Sequence, residues 1–231
     1  MLLCEAPEFV RWSPDFSSSG QTSPSWTQVV CDGAQVINGL EVVEWDDNPV
    51  QLVVCEACGV VDCAYGGYAH VSRAGSYVVL SEPRLPGADP NHEDHQYAAS
   101  AAVVRFGAVV VPLAVWSAWP EVGATDALPV TRRHDLAGGW LAEAPPREDA
   151  IAADVGTVED GLAAVDAVDR WFEADPEAVV EELVPVAPGK AITLFYDSPR
   201  FTEWTPAVRV DGAWLPVLGG FTVAATSAGI G

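Results

Sequence analysis

Three thiols and an imidazole fall within positions 55–70: Cys55-Glu56-Ala57-Cys58-Gly59, then Cys63, then His70. Two cysteines separated by two residues can turn both sulfurs toward one tetrahedral ion. A glycine directly after the second permits the tight turn that points backbone N–H groups at the thiolates. The spacing predicts a zinc centre with Cys55, Cys58 and Cys63 as ligands. His70 is the preferred fourth ligand, because Gly66-Gly67 lets the chain reverse and a strand beginning near Tyr68 would carry His70 back over the loop. Cys31, at the end of an earlier predicted strand, is the rival. Four protein ligands make a closed, structural site, whereas three plus a water leave an open one able to activate that water.

The segment Cys55 to Gly59 resembles the Cys-x-x-Cys-Gly turn of rubredoxin-like and zinc-ribbon proteins. The resemblance covers five residues, and those families carry a second such turn where this chain has Cys63 alone. It therefore implies a metal knuckle and leaves the fourth ligand to come from elsewhere. Metal-free readings compete with it. A redox Cys-x-x-Cys pair opens a helix, whose N-terminus lowers the thiol pKa; here Leu52-Val53-Val54 reads as a strand and 59–67 carries no helical pattern. Structural disulfides suit an exported protein, yet five cysteines leave one over and Met1-Leu2-Leu3-Cys4-Glu5 has no basic leader. Buried, inert thiols are the remaining alternative.

Charge is the second strong signal. The 231 residues carry 33 acids against 11 bases, a formal net charge of −22. Such a field repels phosphate backbones, and no Lys/Arg cluster offsets it locally, so nucleic acid is disfavoured as a partner and a basic protein is the expected one. Twelve of the acids and a single base, Arg170, lie between Glu148 and Glu182. Within that stretch Val158, Leu162, Val165, Val168 and Phe172 recur at helical spacing, leaving Glu159, Asp166, Asp169 and Glu173 on the opposite face as a partner-binding surface. Asp175-Pro176-Glu177 is read as the start of a second short acidic helix. Solvation alone is the competing explanation of the charge.

The elements that must position the cysteines read as an antiparallel sheet. Trp26 to Cys31, Leu40 to Trp45, Val50 to Cys55, Tyr68 to Arg73 and Tyr77 to Leu80 are rich in Val, Tyr or Trp and are punctuated by Asp32-Gly33, Asn38-Gly39, Asp46 to Pro49 and a hairpin tip at Ala74-Gly75. Residues 98–119 are apolar enough to be strand or helix, and Arg105 and Pro112 argue for buried core over a membrane span. Strands return at Ala191 to Asp197, around an Asp211-Gly212 turn, and at Phe221 to Ala224. The fold expected is a single α+β domain over 1–231, divisible into a β-rich 1–88 bearing the knuckle and a mixed α/β 89–231, with two short acidic helices and a C-terminal β-hairpin. The expected location is cytoplasmic.

No phosphate-binding loop, dinucleotide fingerprint, Gly-x-Ser-x-Gly elbow or His-Glu-x-x-His helix is present. The leading expectation is a non-catalytic, zinc-stabilised interaction module, inhibitor- or immunity-like, acting on a basic partner. The alternative is a zinc-dependent hydrolase in which His92 or His95, three residues apart after a helix start at Asp89-Pro90, completes an open site.

Overall fold

The computed structural model describes residues 1–13, 25–63, 66–83, 97–120, 122, 127–136, 163–164, 166–168, 170–171, 174–187, 190–195 and 204–223. Its centre is a run of four apolar residues, Ala108-Val109-Val110-Val111, each fully buried. A strand covered on only one face alternates apolar with polar residues; one that is apolar throughout must be covered on both. Strand β8 (Ala108–Pro112) is such a strand. It lies between β1 (Leu2–Leu3), which runs parallel to it, and β7 (Tyr77–Ser81), which runs antiparallel. Beyond β7 come β6 (Tyr68–Ala74) and β5 (Val50–Gln51), giving the sheet order β1-β8-β7-β6-β5.

The two faces of this sheet carry separate cores. Val71, Val78, Leu80, Val109 and Val111 face one way and pack with Val29, Cys31, Val36, Ile37, Leu40, Trp116 and Trp119. Ala74, Val79, Ala108 and Val110 face the other and pack with Leu136, Val180, Leu183, Leu218 and Phe221. The first cover is a three-stranded antiparallel sheet, β2 (Glu8–Trp12), β3 (Trp26–Cys31) and β4 (Ala34–Ile37), together with helix α1 (Ala101–Phe106) and the one-turn α2 (Leu113–Trp116). The second includes the pair β9 (Leu183–Pro185) and β13 (Phe221–Val223). Strands β10 (Ile192–Phe195), β11 (Trp204–Val210) and β12 (Ala213–Pro216) form a further antiparallel sheet. Asp32-Gly33 and Asp211-Gly212 take positive φ at both residues, the two-residue turn that joins β3 to β4 and β11 to β12.

Several elements differ from the sequence expectation. Leu40 to Trp45 is not a strand: a single 3₁₀ turn spans Leu40–Val42. Leu40 points into the core, while Glu41 turns outward to accept the Thr27 N–H and hydroxyl at 2.7 Å each and the Arg11 guanidinium at 2.5 Å. Residues 98–119 are helix and strand in turn, because Ser100 caps α1 through the Val103 N–H and Gly107 ends it before β8 begins. None of the helices is long and apolar enough to cross a membrane among the described residues. After Asp175 the chain makes a turn and then extends, with Val179 bridging to Arg132, so the second acidic helix does not form there. The described positions of 163–171 are helical, with Ala164 and Val168 buried. Trp116 and Trp119 are core residues, 1% and 4% exposed.

Cys4 and Cys31 are joined in a disulfide within the first core, tying the chain beyond β1 to the end of β3. Cys31 is therefore unavailable to a metal, which removes the rival ligand. Replacing both cysteines with alanine is expected to lower the unfolding free energy by about 2–4 kcal/mol in a denaturant titration, since a cross-link chiefly restricts the unfolded chain. Thiol titration of the unfolded, unreduced protein should find three reactive cysteines, Cys55, Cys58 and Cys63, and all five after reduction.

Candidate metal centre

The cysteine loop hangs from the short edge strand β5, and buried polar side chains fix its entry and exit. Asn38, fully buried after β4, donates through Nδ2 to the Val54 carbonyl and accepts the Val54 N–H on Oδ1, each at 2.8 Å. Its amide thus replaces a strand partner for the residue that leads into Cys55. Its carbonyl accepts the Trp12 indole N–H. Gln51, also buried, accepts the Asp62 N–H at 2.7 Å and donates to the Gly66 carbonyl at 2.9 Å. The Gly67 carbonyl takes the Leu52 and Val53 N–H groups, and the Tyr68 hydroxyl donates to Asp62. Burial, and then that hydrogen bond to a carboxylate, push the Tyr68 phenol well above its ordinary range.

Inside this frame the turn closes on itself. The Gly59 N–H donates to the Cys55 carbonyl at 2.6 Å, and Gly59 takes a φ of +64°. A Cβ at this position would sit 1.6 Å from Cη2 of Trp26, so the indole of β3 lies directly on the glycine. Both the sign of φ and the ring contact require glycine here.

The sulfurs of Cys55, Cys58 and Cys63 consequently all lie within 4.8 Å of one another. Cys55 and Cys58 are half-buried and Cys63 is exposed, with 3.2 Å between the sulfurs of Cys58 and Cys63. The backbone N–H groups of Cys58 and Ala57, and then the Cys58 thiol, hold the Cys55 thiol below its usual range. Cys63 moves the other way, pushed up to about 11 by hydrogen bonds to Cys58 and Cys55 and by their negative charge. Three sulfurs this close cannot all ionise without a cation between them, whereas a divalent ion reverses the preference and favours three thiolates. Thiolate donors suit zinc and other soft ions rather than magnesium or calcium.

His70 is not in this group. Its Nδ1 lies 2.9 Å from Asn48 Oδ1, and its Nε2 lies 3.9 Å from Asp135 on the opposite side of β6 from Val71. Alternation along β6 accounts for the separation: His70 shares a face with Ser72 and Ala74, turned toward the Thr131 and Asp135 segment. His92 and His95 lie outside the described residues, as do Glu159, Asp169 and Glu173; Asp166 is exposed. The supporting residues escaped the sequence reading, although Gln51, an amide inside an apolar run, was one available signal. Asn38 had the appearance of ordinary turn punctuation.

Compared with protein-family models, with curated proteins and with solved structures, the chain shows no match.

Gly59→Ala is expected to cost about 3 kcal/mol or more, combining overpacking against Trp26 with a left-handed backbone, and to weaken metal binding. Gly33→Ala is the control: φ is +74° there, but nothing lies within 4 Å of the added Cβ. It should cost about 1 kcal/mol and leave metal binding unchanged. Parallel thermal melts and zinc titrations of the two variants check this.

Proposed function

We propose that this chain is a non-catalytic interaction module whose cysteine loop is closed by one zinc ion on Cys55, Cys58 and Cys63, and whose acidic surface docks a basic protein partner in the manner of an inhibitor or immunity-like protein. The observation that carries the metal half is the convergence of three sulfurs within 4.8 Å on a loop held at both ends by buried amides. An ion that ties the strands of this loop together contributes directly to folding stability. The support for the partner is the charge of −22, which accelerates encounter with a basic surface and suppresses acidic ones. The Cys4–Cys31 disulfide is the kind of bond that persists in oxidising surroundings.

Protein purified without added metal should contain close to one zinc per chain, and chelation should lower its melting temperature. Less than about 0.2 zinc per chain together with an unchanged melt defeats the metal reading. Because the ion must displace protons, above all from Cys63, apparent zinc affinity should fall as pH is lowered. A competition titration across several pH values measures this.

The docking reading is tested by capture at low salt, followed by charge reversal of Glu159, Asp166, Asp169 and Glu173. Binding should weaken with added salt and with reversal. Partners that are uniformly acidic, or binding indifferent to both changes, would leave solubility as the reading of the charge.

A further inference from the structure

We infer that Cys58 and Cys63 are a site of oxidative modification, at which a hydroperoxide links the two sulfurs as a disulfide and thereby expels any metal the three cysteines share. The metal half of this statement rests on the zinc reading above; the modification itself does not.

Geometry selects the pair. The Cys58 and Cys63 sulfurs are 3.2 Å apart, about 1 Å more than a disulfide bond requires. The four residues between them already reverse the chain, with positive φ at Gly59 and at Asp62. Cys63 is exposed and open to an oxidant, and Cys58 stands half-buried beside it. Cys55 is differently held. Its sulfur takes backbone N–H groups from Ala57 and Cys58, and its carbonyl takes the Gly59 N–H at 2.6 Å.

The chemistry balances with the hydroperoxide as the two-electron oxidant. The Cys63 sulfur attacks the terminal peroxide oxygen, the O–O bond breaks, an alcohol leaves and Cys63 becomes a sulfenic acid. The Cys58 sulfur then attacks the Cys63 sulfur, the S–O bond breaks and water departs with the two protons accounted for. Two thiols and one hydroperoxide thus give one disulfide, one alcohol and one water; where the two sulfurs are metal-bound thiolates, solvent supplies the two protons. An ion held by the three cysteines would lose two of its thiolates, and Cys55 alone could not retain it. Metal and disulfide are alternative clamps on the same loop.

The test treats the zinc-loaded 231-residue chain, with Cys4–Cys31 intact, with stoichiometric tert-butyl hydroperoxide and maps the product without reduction. Cleavage after Glu56 separates Cys55 from the other two. The fragment carrying Cys58 and Cys63 should lose two hydrogens with no link to the Cys55 fragment, and one zinc should be released per link formed. Cys55→Ser should still form the link, and Cys58→Ser and Cys63→Ser should not. A cross-link to Cys55, over-oxidation of Cys63 without any link, or a zinc-loaded protein left unmodified would each overturn the inference. Formation of the Cys58–Cys63 link in a protein that binds no zinc would defeat the metal reading and leave the modification site standing.

Discussion

A strand buried on both faces can send its backbone polar groups only to its neighbours, and this constraint at Ala108 to Val111 organises the molecule. Its hydrogen bonds go to β1 on one side and β7 on the other, with the Cys4 N–H continuing the first ladder to the Val110 carbonyl. Because neither face can meet water, each must be covered. The cover on one face comes from β3, β4 and the Trp116/Trp119 pair, and that on the other from residues late in the chain, including Val180, Leu183 and Phe221. Sequence-distant segments are thus held to one sheet by the apolarity of four residues.

The cysteine loop sits where that organisation ends. Strand β5 pairs with β6 over two residues, Val50 with Ala69 and Gln51 with Tyr68, and among the described residues no strand pairs with its other edge. Side-chain amides substitute. Asn38 supplies both halves of a backbone-like pair to Val54, and Gln51 spans from Asp62 to Gly66. A buried amide of this kind carries strict geometry, because each unsatisfied donor or acceptor would cost about 1–3 kcal/mol. The loop is therefore positioned by polar chemistry on its inner side and by an aromatic ring, Trp26, on its turn.

What the sequence disclosed follows from which interactions are local. The Cys-x-x-Cys-Gly turn, the Asp-Gly hairpins and the apolar strands at Trp26, Tyr68 and Tyr77 all depend on residues close together in the chain, and the structure has each of them. Three thiols in one place were legible for the same reason. His70 was misplaced because its face on β6 is set by pairing with β7, a register that no spacing rule around Gly66-Gly67 contains. The strand expected at Leu40 to Trp45 was overridden by long-range demands, with Glu41 recruited by Thr27 and Arg11. The Cys4–Cys31 bond lay beyond reach because 27 residues separate its ends and counting cysteines does not reveal their pairing.

The indole of Trp26 resting on Gly59 has an evolutionary consequence. Trp26 belongs to β3 and packs at a tilt against Trp12, while Gly59 belongs to the turn that aims the thiols, so the packing of one sheet and the shape of the cysteine loop share a single contact. Neither position is free to drift alone: a side chain at 59 has no room while the ring is in place, and a smaller residue at 26 leaves the turn without its backing. Homologous chains that keep the thiol cluster should inherit the tryptophan and the glycine as a linked pair, and chains that lose the cluster should be released from both together.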